Sequence, residues 1–129
     1  MPRDLANLSC LGQYPAMARI DVIPGTLELL LLKVLSPGRE MHGFEILQWI
    51  RDHTDGELLI EEGALYPALH RMEERRLIRG EWLISEKGRR ARYYTVSARG
   101  RAELLRAETA WRRYVHAWEK IALAAAAAS

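Results

Sequence analysis

Glu62-Gly63-Ala64-Leu65-Tyr66-Pro67-Ala68-Leu69-His70-Arg71-Met72-Glu73 and, a little further on, Lys87-Gly88-Arg89-Arg90-Ala91-Arg92-Tyr93-Tyr94 decide how this chain is read. In the first stretch Leu65, Leu69 and Met72 recur at helical spacing, which predicts a helix from about Glu62 to Arg75 with those three on its buried face. Tyr66, His70, Arg71 and Glu74 then fall on the solvent side, and Tyr66 and His70, four residues apart, are surface neighbours. Pro67 lies within or just after the first turn, where backbone N–H groups largely lack intrahelical partners, so its cost is reduced. Tyr66 can equally be a half-buried aromatic of the core. The second stretch sits between two β-like runs, Gly80 to Ile84 and Arg92 to Val96, and predicts a hairpin whose loop, Ser85 to Ala91, is polar and basic.

Working outward, Pro24-Gly25-Thr26 introduces Leu27, Leu30, Leu31, Val34 and Leu35, a one-faced helical pattern with Thr26 placed to cap it and Ser36-Pro37-Gly38 to end it. A second helix is expected from about Met41 to His53, with Phe44, Leu47 and Ile50 or Ile46 facing inward and Trp49 at the edge of that stripe. Asp55-Gly56 makes a turn, and Leu58-Leu59-Ile60 could add one strand to a small sheet. Ser97 can cap a final helix from about Ala98 to Ala122. Along it Leu104, Ala107, Trp111, Tyr114, Trp118 and Ile121 alternate spacings of three and four, the seam a helix lays against another helix. An Ala-rich tail, 124–129, prolongs that helix or frays. Residues 1–20 show no clean period and read as a flexible N-terminal extension, with Met17 a natural internal start. The resulting division is 1–20 extension, 21–97 main domain, 98–123 dimerisation helix and 124–129 tail.

Composition narrows the chemistry. The chain has 129 residues, 49% hydrophobic and 28% charged, a globular composition for one core plus an appended element. Net charge is only +2, yet residues 79–101 carry seven positive and two negative side chains, so the remainder is net negative. A basic block on a nearly neutral chain points to an anionic partner meeting one face, against the plainer reading of a solvated turn. No apolar run, Leu29–Leu32 included, approaches the roughly 20 residues of a membrane span. No secretory leader is evident, and the lone Cys10 fits a reducing compartment, so a cytoplasmic protein is expected. His42, His53, His70 and His116 lack metal-ligand spacing, and Glu61-Glu62 and Glu73-Glu74 read as solvated charge or helix-start placement. With no phosphate-cradling glycine loop or activated-serine motif, neither an enzyme nor a cofactor is expected.

Helix, helix, short strand, helix, basic hairpin, long helix is the layout of a mainly α winged helix-turn-helix with a small β wing. A major groove about 12 Å wide admits one α-helix, and flanking phosphates suit a basic loop. On this reading Lys87, Arg89, Arg90 and Arg92 sit on the wing loop and grip the DNA backbone, while Tyr66, His70 and Arg71 read from the third helix. The sequence resembles the PadR-like transcriptional regulators through the segments Pro24–Leu27, Met41–Ile46, Glu62–Glu73, Arg89–Tyr94 and Ala98–Gly100, in the right order over roughly residues 23–120. It departs from the family pattern at Phe44, usually Tyr, and Ala64, usually Thr, each change removing a hydroxyl that could touch phosphate. The resemblance implies a homodimeric repressor of a pseudo-palindromic operator, with the C-terminal helix as dimer arm. It also allows a small aromatic effector stacked on Trp111 and Trp118, although those rings can fill the seam without any ligand. The alternative is a winged-helix protein–protein interaction module that does not bind DNA.

Overall fold

The computed structural model describes residues 20–128, so the expected extension, apart from Ile20, and Cys10 lie outside the described residues. The leucine run forms α1, Leu27–Leu35. Leu31, Leu32, Val34 and Leu35 are all buried, more of the circumference than a one-faced pattern predicts. The reason is its central place, packed against the other three helices and the sheet. Thr26 precedes the helix but does not cap it with its side chain; the hydroxyl donates to the Ile23 carbonyl at 2.7 Å instead. Gly38, at φ +89°, completes the predicted stop.

Met41–His42 form a two-residue strand, β1, and the second helix, α2, begins only at Gly43 and runs to His53. A capping box starts it: the Glu45 N–H donates to His42 Nδ1 at 3.2 Å, and the His42 N–H donates to Glu45 Oε1 at 3.0 Å. The buried face is set by Gly43, Ile46 and Ile50, and Phe44 lies about 100° around the helix from Gly43. Ile46 and Ile50 are buried, but Phe44, expected inside, is 53% exposed in the first turn. The expected strand at Leu58–Ile60 is also corrected. Leu58 makes only an isolated bridge to Ile20, and Ile60 turns into the core. That bridge ties Ile20 to the domain instead of the extension.

The third helix, α3, spans Glu62–Glu74, with Leu65, Ala68, Leu69 and Met72 completely buried. Two longer strands than expected follow, β2 (Ile78–Ile84) and β3 (Arg90–Val96), in an antiparallel sheet of order β1-β3-β2. The last helix, α4, runs from Ala98 to Ala128 without a break, so the alanine tail prolongs the helix as far as it is described. Ser97 caps it as expected, accepting from the Gly100 N–H at 3.0 Å. Ser97 Oγ also donates to the Arg76 carbonyl at 2.6 Å, which ties the start of α4 to the end of α3. Gly100 sits where α4 crosses the chain: a Cβ there would lie 2.0 Å from the Leu77 carbonyl oxygen. Replacing Gly100 by Ala is therefore expected to destabilise the fold by about 1–3 kcal/mol or more. Gly63→Ala, in open space within α3, should stabilise it by about 0.5–1 kcal/mol. Thermal melts of the two variants read the opposite signs.

Candidate nucleic-acid interface

Burial of one side of α3 dictates what the other side presents. Tyr66, His70 and Arg71 are all exposed, as the helical pattern requires. Tyr66 is both a packed and a presented residue. Its ring lies across Gly43, where no side chain would fit, yet 45% of it remains exposed. Burial, then the nearby Glu62 carboxylate, pushes its hydroxyl above the usual tyrosine range, so it remains a neutral donor. His70 Nε2 lies 3.5 Å from Glu74 on the next turn. Arg71 follows Tyr66 by five positions, about 140° around the helix, so it faces away from the hairpin side.

The hairpin closes through a five-residue tip, 85–89, in which the Ser85 N–H donates to the Arg89 carbonyl at 2.7 Å and Ser85 Oγ accepts from the Arg89 N–H at 3.2 Å. Lys87 and Arg89 are exposed at this tip. Arg90 and Arg92 are not on a loop, because β3 begins at Arg90. The Arg90 guanidinium lies 4.8 Å from the centre of the Trp82 ring. Arg92 reaches back to α3, where its Nε and Nη2 both donate to the Glu73 carboxylate. Two expectations change: Arg92 lies in a strand and is ion-paired instead of sitting on a free loop, and Glu73 is not mere solvated charge. The paired carboxylate holds the Arg92 guanidinium above its ordinary pKa.

Tyr66 from α3, Phe44 and Gln48 from α2, and Lys87, Arg89 and Arg90 from the hairpin line one open cleft of about 980 Å³. Tyr66 of α3 and the basic hairpin thus face a shared space, whereas His70 and Arg71 are not among its walls. Sequence patterning missed Phe44, Trp82 and Ile84 on this surface; the last two are 55% and 66% exposed. Their strand-like alternation was visible, but the sheet runs past the core, so the same face that buries Ile78 and Val96 at its base is exposed toward its tip.

The predicted seam on α4 divides in two. Leu104 is only 6% exposed and belongs to the core of its own chain, so it is not available to a partner helix. Ala107 and Trp111 are partly covered by their own domain, with Trp111 beside Val22, Ile23, Leu29, Leu30 and Leu58 around a pocket of about 280 Å³. Tyr114, Trp118 and Ile121 are 70%, 62% and 63% exposed, with Leu105 and Leu123 exposed as well. Among the described residues no helix is long and apolar enough to cross a membrane, and no cluster of His, Cys, Asp and Glu is arranged to hold a metal ion.

Comparison with known proteins agrees with this architecture. The family model described as "Transcriptional regulator PadR-like family" matches residues 31–106, more than half of the chain. The chain belongs to the PadR-like family. Among solved structures, a transcriptional regulator from Clostridium thermocellum is 27% identical, with a TM-score of 0.68 over 74% of this chain and 92% of its own. A PadR family transcription regulator from Clostridium difficile is 26% identical, with a TM-score of 0.65 over 75% of this chain and 98% of its own. An uncharacterised protein of Lysinibacillus sphaericus is 28% identical over 95 residues, 74% of this chain and 86% of that protein. The fold is that of a PadR-like winged-helix transcriptional regulator, with the β2–β3 hairpin as its wing. Since the ring of Tyr66 does the packing across Gly43, Tyr66→Phe should leave the melting temperature nearly unchanged, whereas Tyr66→Ala should lower it. Differential scanning calorimetry of the two variants checks that division.

Proposed function

We propose that this regulator binds double-stranded DNA as a homodimer, with α3 in the major groove and the wing tip on flanking phosphates, and represses transcription from a pseudo-palindromic operator. The observation that carries the reading is the shared cleft, in which the α3 residue Tyr66 and the wing residues Lys87, Arg89 and Arg90 face the same space. His70 and Arg71 lie on the exposed side of α3, where they would meet base edges or phosphate. Lys87 and Arg89, exposed at the tip, supply the backbone grip, since each cation paired with a phosphate releases condensed counterions. Arg92 is left out of the direct contacts because Glu73 holds it.

The dimer reading rests on Tyr114, Trp118 and Ile121, large apolar side chains exposed in the second half of a 31-residue helix. A contiguous apolar surface of that kind marks an interaction site. A two-fold partner would place two copies of α3 about 34–36 Å apart, or at multiples of that distance, on one duplex. Repression follows from the family resemblance. The aromatic-effector reading has less in its favour: Trp111 borders a small apolar pocket, but Trp118 is not among its walls.

Selection of duplexes from a random-sequence pool should recover an inverted repeat. Changing Arg89 and Arg90 together to Ala should then weaken binding and make the slope of log affinity against log salt shallower by about 0.9 for each phosphate left without its cation. A protein–protein module that does not bind DNA would select no duplex. Sedimentation of Trp118→Asp should show monomers where the parent protein shows dimers; an unchanged dimer would remove the α4 surface from the interface.

A further inference from the structure

We propose that Glu73 and Arg92 are positioning residues whose ion pair sets the angle between the recognition helix and the wing, and thereby the spacing at which both meet a duplex. The inference rests on the DNA-binding reading above and adds to it a pair of residues that need not touch DNA. It begins with the span of the wing. The base of the hairpin is anchored in the core by Ile78, Tyr94 and Val96, all buried, but from Trp82 outward its inner face is exposed. A two-stranded ribbon beyond its core anchor is free to bend relative to the helix unless something braces it.

Arg92 is that brace. It sits midway along β3, opposite Trp82 in the register, and donates two hydrogen bonds to Glu73 in the last turn of α3. Both side chains are partly shielded from solvent, at 30% and 27% exposure. The paired fork-to-carboxylate geometry fixes direction as well as distance. The surrounding residues are shaped to it. The Trp82 ring lies under the guanidinium at 5.6 Å, restricting its sideways movement. Gly80, on the neighbouring strand, leaves the passage open: a Cβ there would lie 2.6 Å from Arg92 Nε. Glycine inside a strand weakens it, so its presence here matches a need for close approach.

The position of the carboxylate is what makes the proposal distinctive. Glu73 is an acidic group next to the surface that would face phosphates, where plain electrostatics makes it a liability. Neutralising it should strengthen binding if charge alone counts, and weaken binding if the brace counts. The two views predict opposite signs.

The test uses the full chain and a duplex selected by the parent protein from a random-sequence pool, with an unrelated duplex as control. Glu73→Gln is expected to lower affinity for the selected duplex about tenfold while affinity for the unrelated one holds or rises. If affinity for both rises together, Glu73 is only an opposing charge and the proposal is overturned. Gly80→Ala displaces the guanidinium without changing any charge and should reproduce the loss; parent-like affinity for the selected duplex would overturn it. Arg92→Gln should weaken selected-duplex binding yet keep the parent's salt slope. A slope shallower by about 0.9 would instead make Arg92 a phosphate contact and overturn the positioning role. Amide order parameters of the wing in the DNA-free protein separate this inference from the reading beneath it. They should fall in Glu73→Gln whether or not any duplex is found, and unchanged values would overturn the brace by themselves. If the parent selects no duplex while the wing still loosens, the DNA reading fails and the mechanical coupling stands.

Discussion

Complete burial of Leu65, Ala68, Leu69 and Met72 is the constraint on which the rest of this molecule depends. Four apolar residues on one side of a thirteen-residue helix fix its rotation, because turning it would bring them into water at about 1.5–3 kcal/mol for each large side chain. Once the rotation is fixed, Tyr66, His70 and Arg71 have no choice but to face outward. The chain then leaves α3 through Arg75–Leu77 directly into β2, so the hairpin must rise beside the helix. Helix and wing are therefore placed together by one apolar seat, and their shared cleft follows from it.

Around that seat the polar contacts act as fasteners between elements. Arg75 pairs with Glu28 at 2.7 Å, joining the end of α3 to α1, and Lys33 pairs with Glu108 at 3.0 Å, joining α1 to α4. Exposed pairs of this sort add little to stability individually. Their effect here is on orientation. The Glu108 carboxylate is held below its ordinary range by Lys33 first and Arg112 second, so it remains charged at the junction from which α4 departs. Beyond that junction α4 carries its large apolar side chains into solvent.

The α3 helix, the hairpin and the long last helix were legible in the sequence because each follows a regular period. Leu65, Leu69 and Met72 announced the buried side of α3, and Ser97 announced the start of α4. What was not legible depended on contacts between segments distant in sequence. Nothing local distinguishes Met41-His42 as a strand; only the free edge of β3 at Tyr93 and Tyr94 makes it one. Leu104 fits the seam period as well as Trp118 does, yet sits at the end of α4 nearest the core and is consumed there. Arg92 reads as one more arginine of a basic run until the fold brings Glu73 beside it, nineteen residues back.

The central claim, that α3 and the wing tip meet one duplex from a single rigid unit, is tested most directly by amide chemical-shift mapping on titration with the selected DNA. The account predicts that the exposed side of α3, from Gly63 to Glu74, and the wing tip, from Glu86 to Arg89, shift together at one stoichiometry. Shifts confined to α4, or to the wing with α3 unmoved, would contradict it.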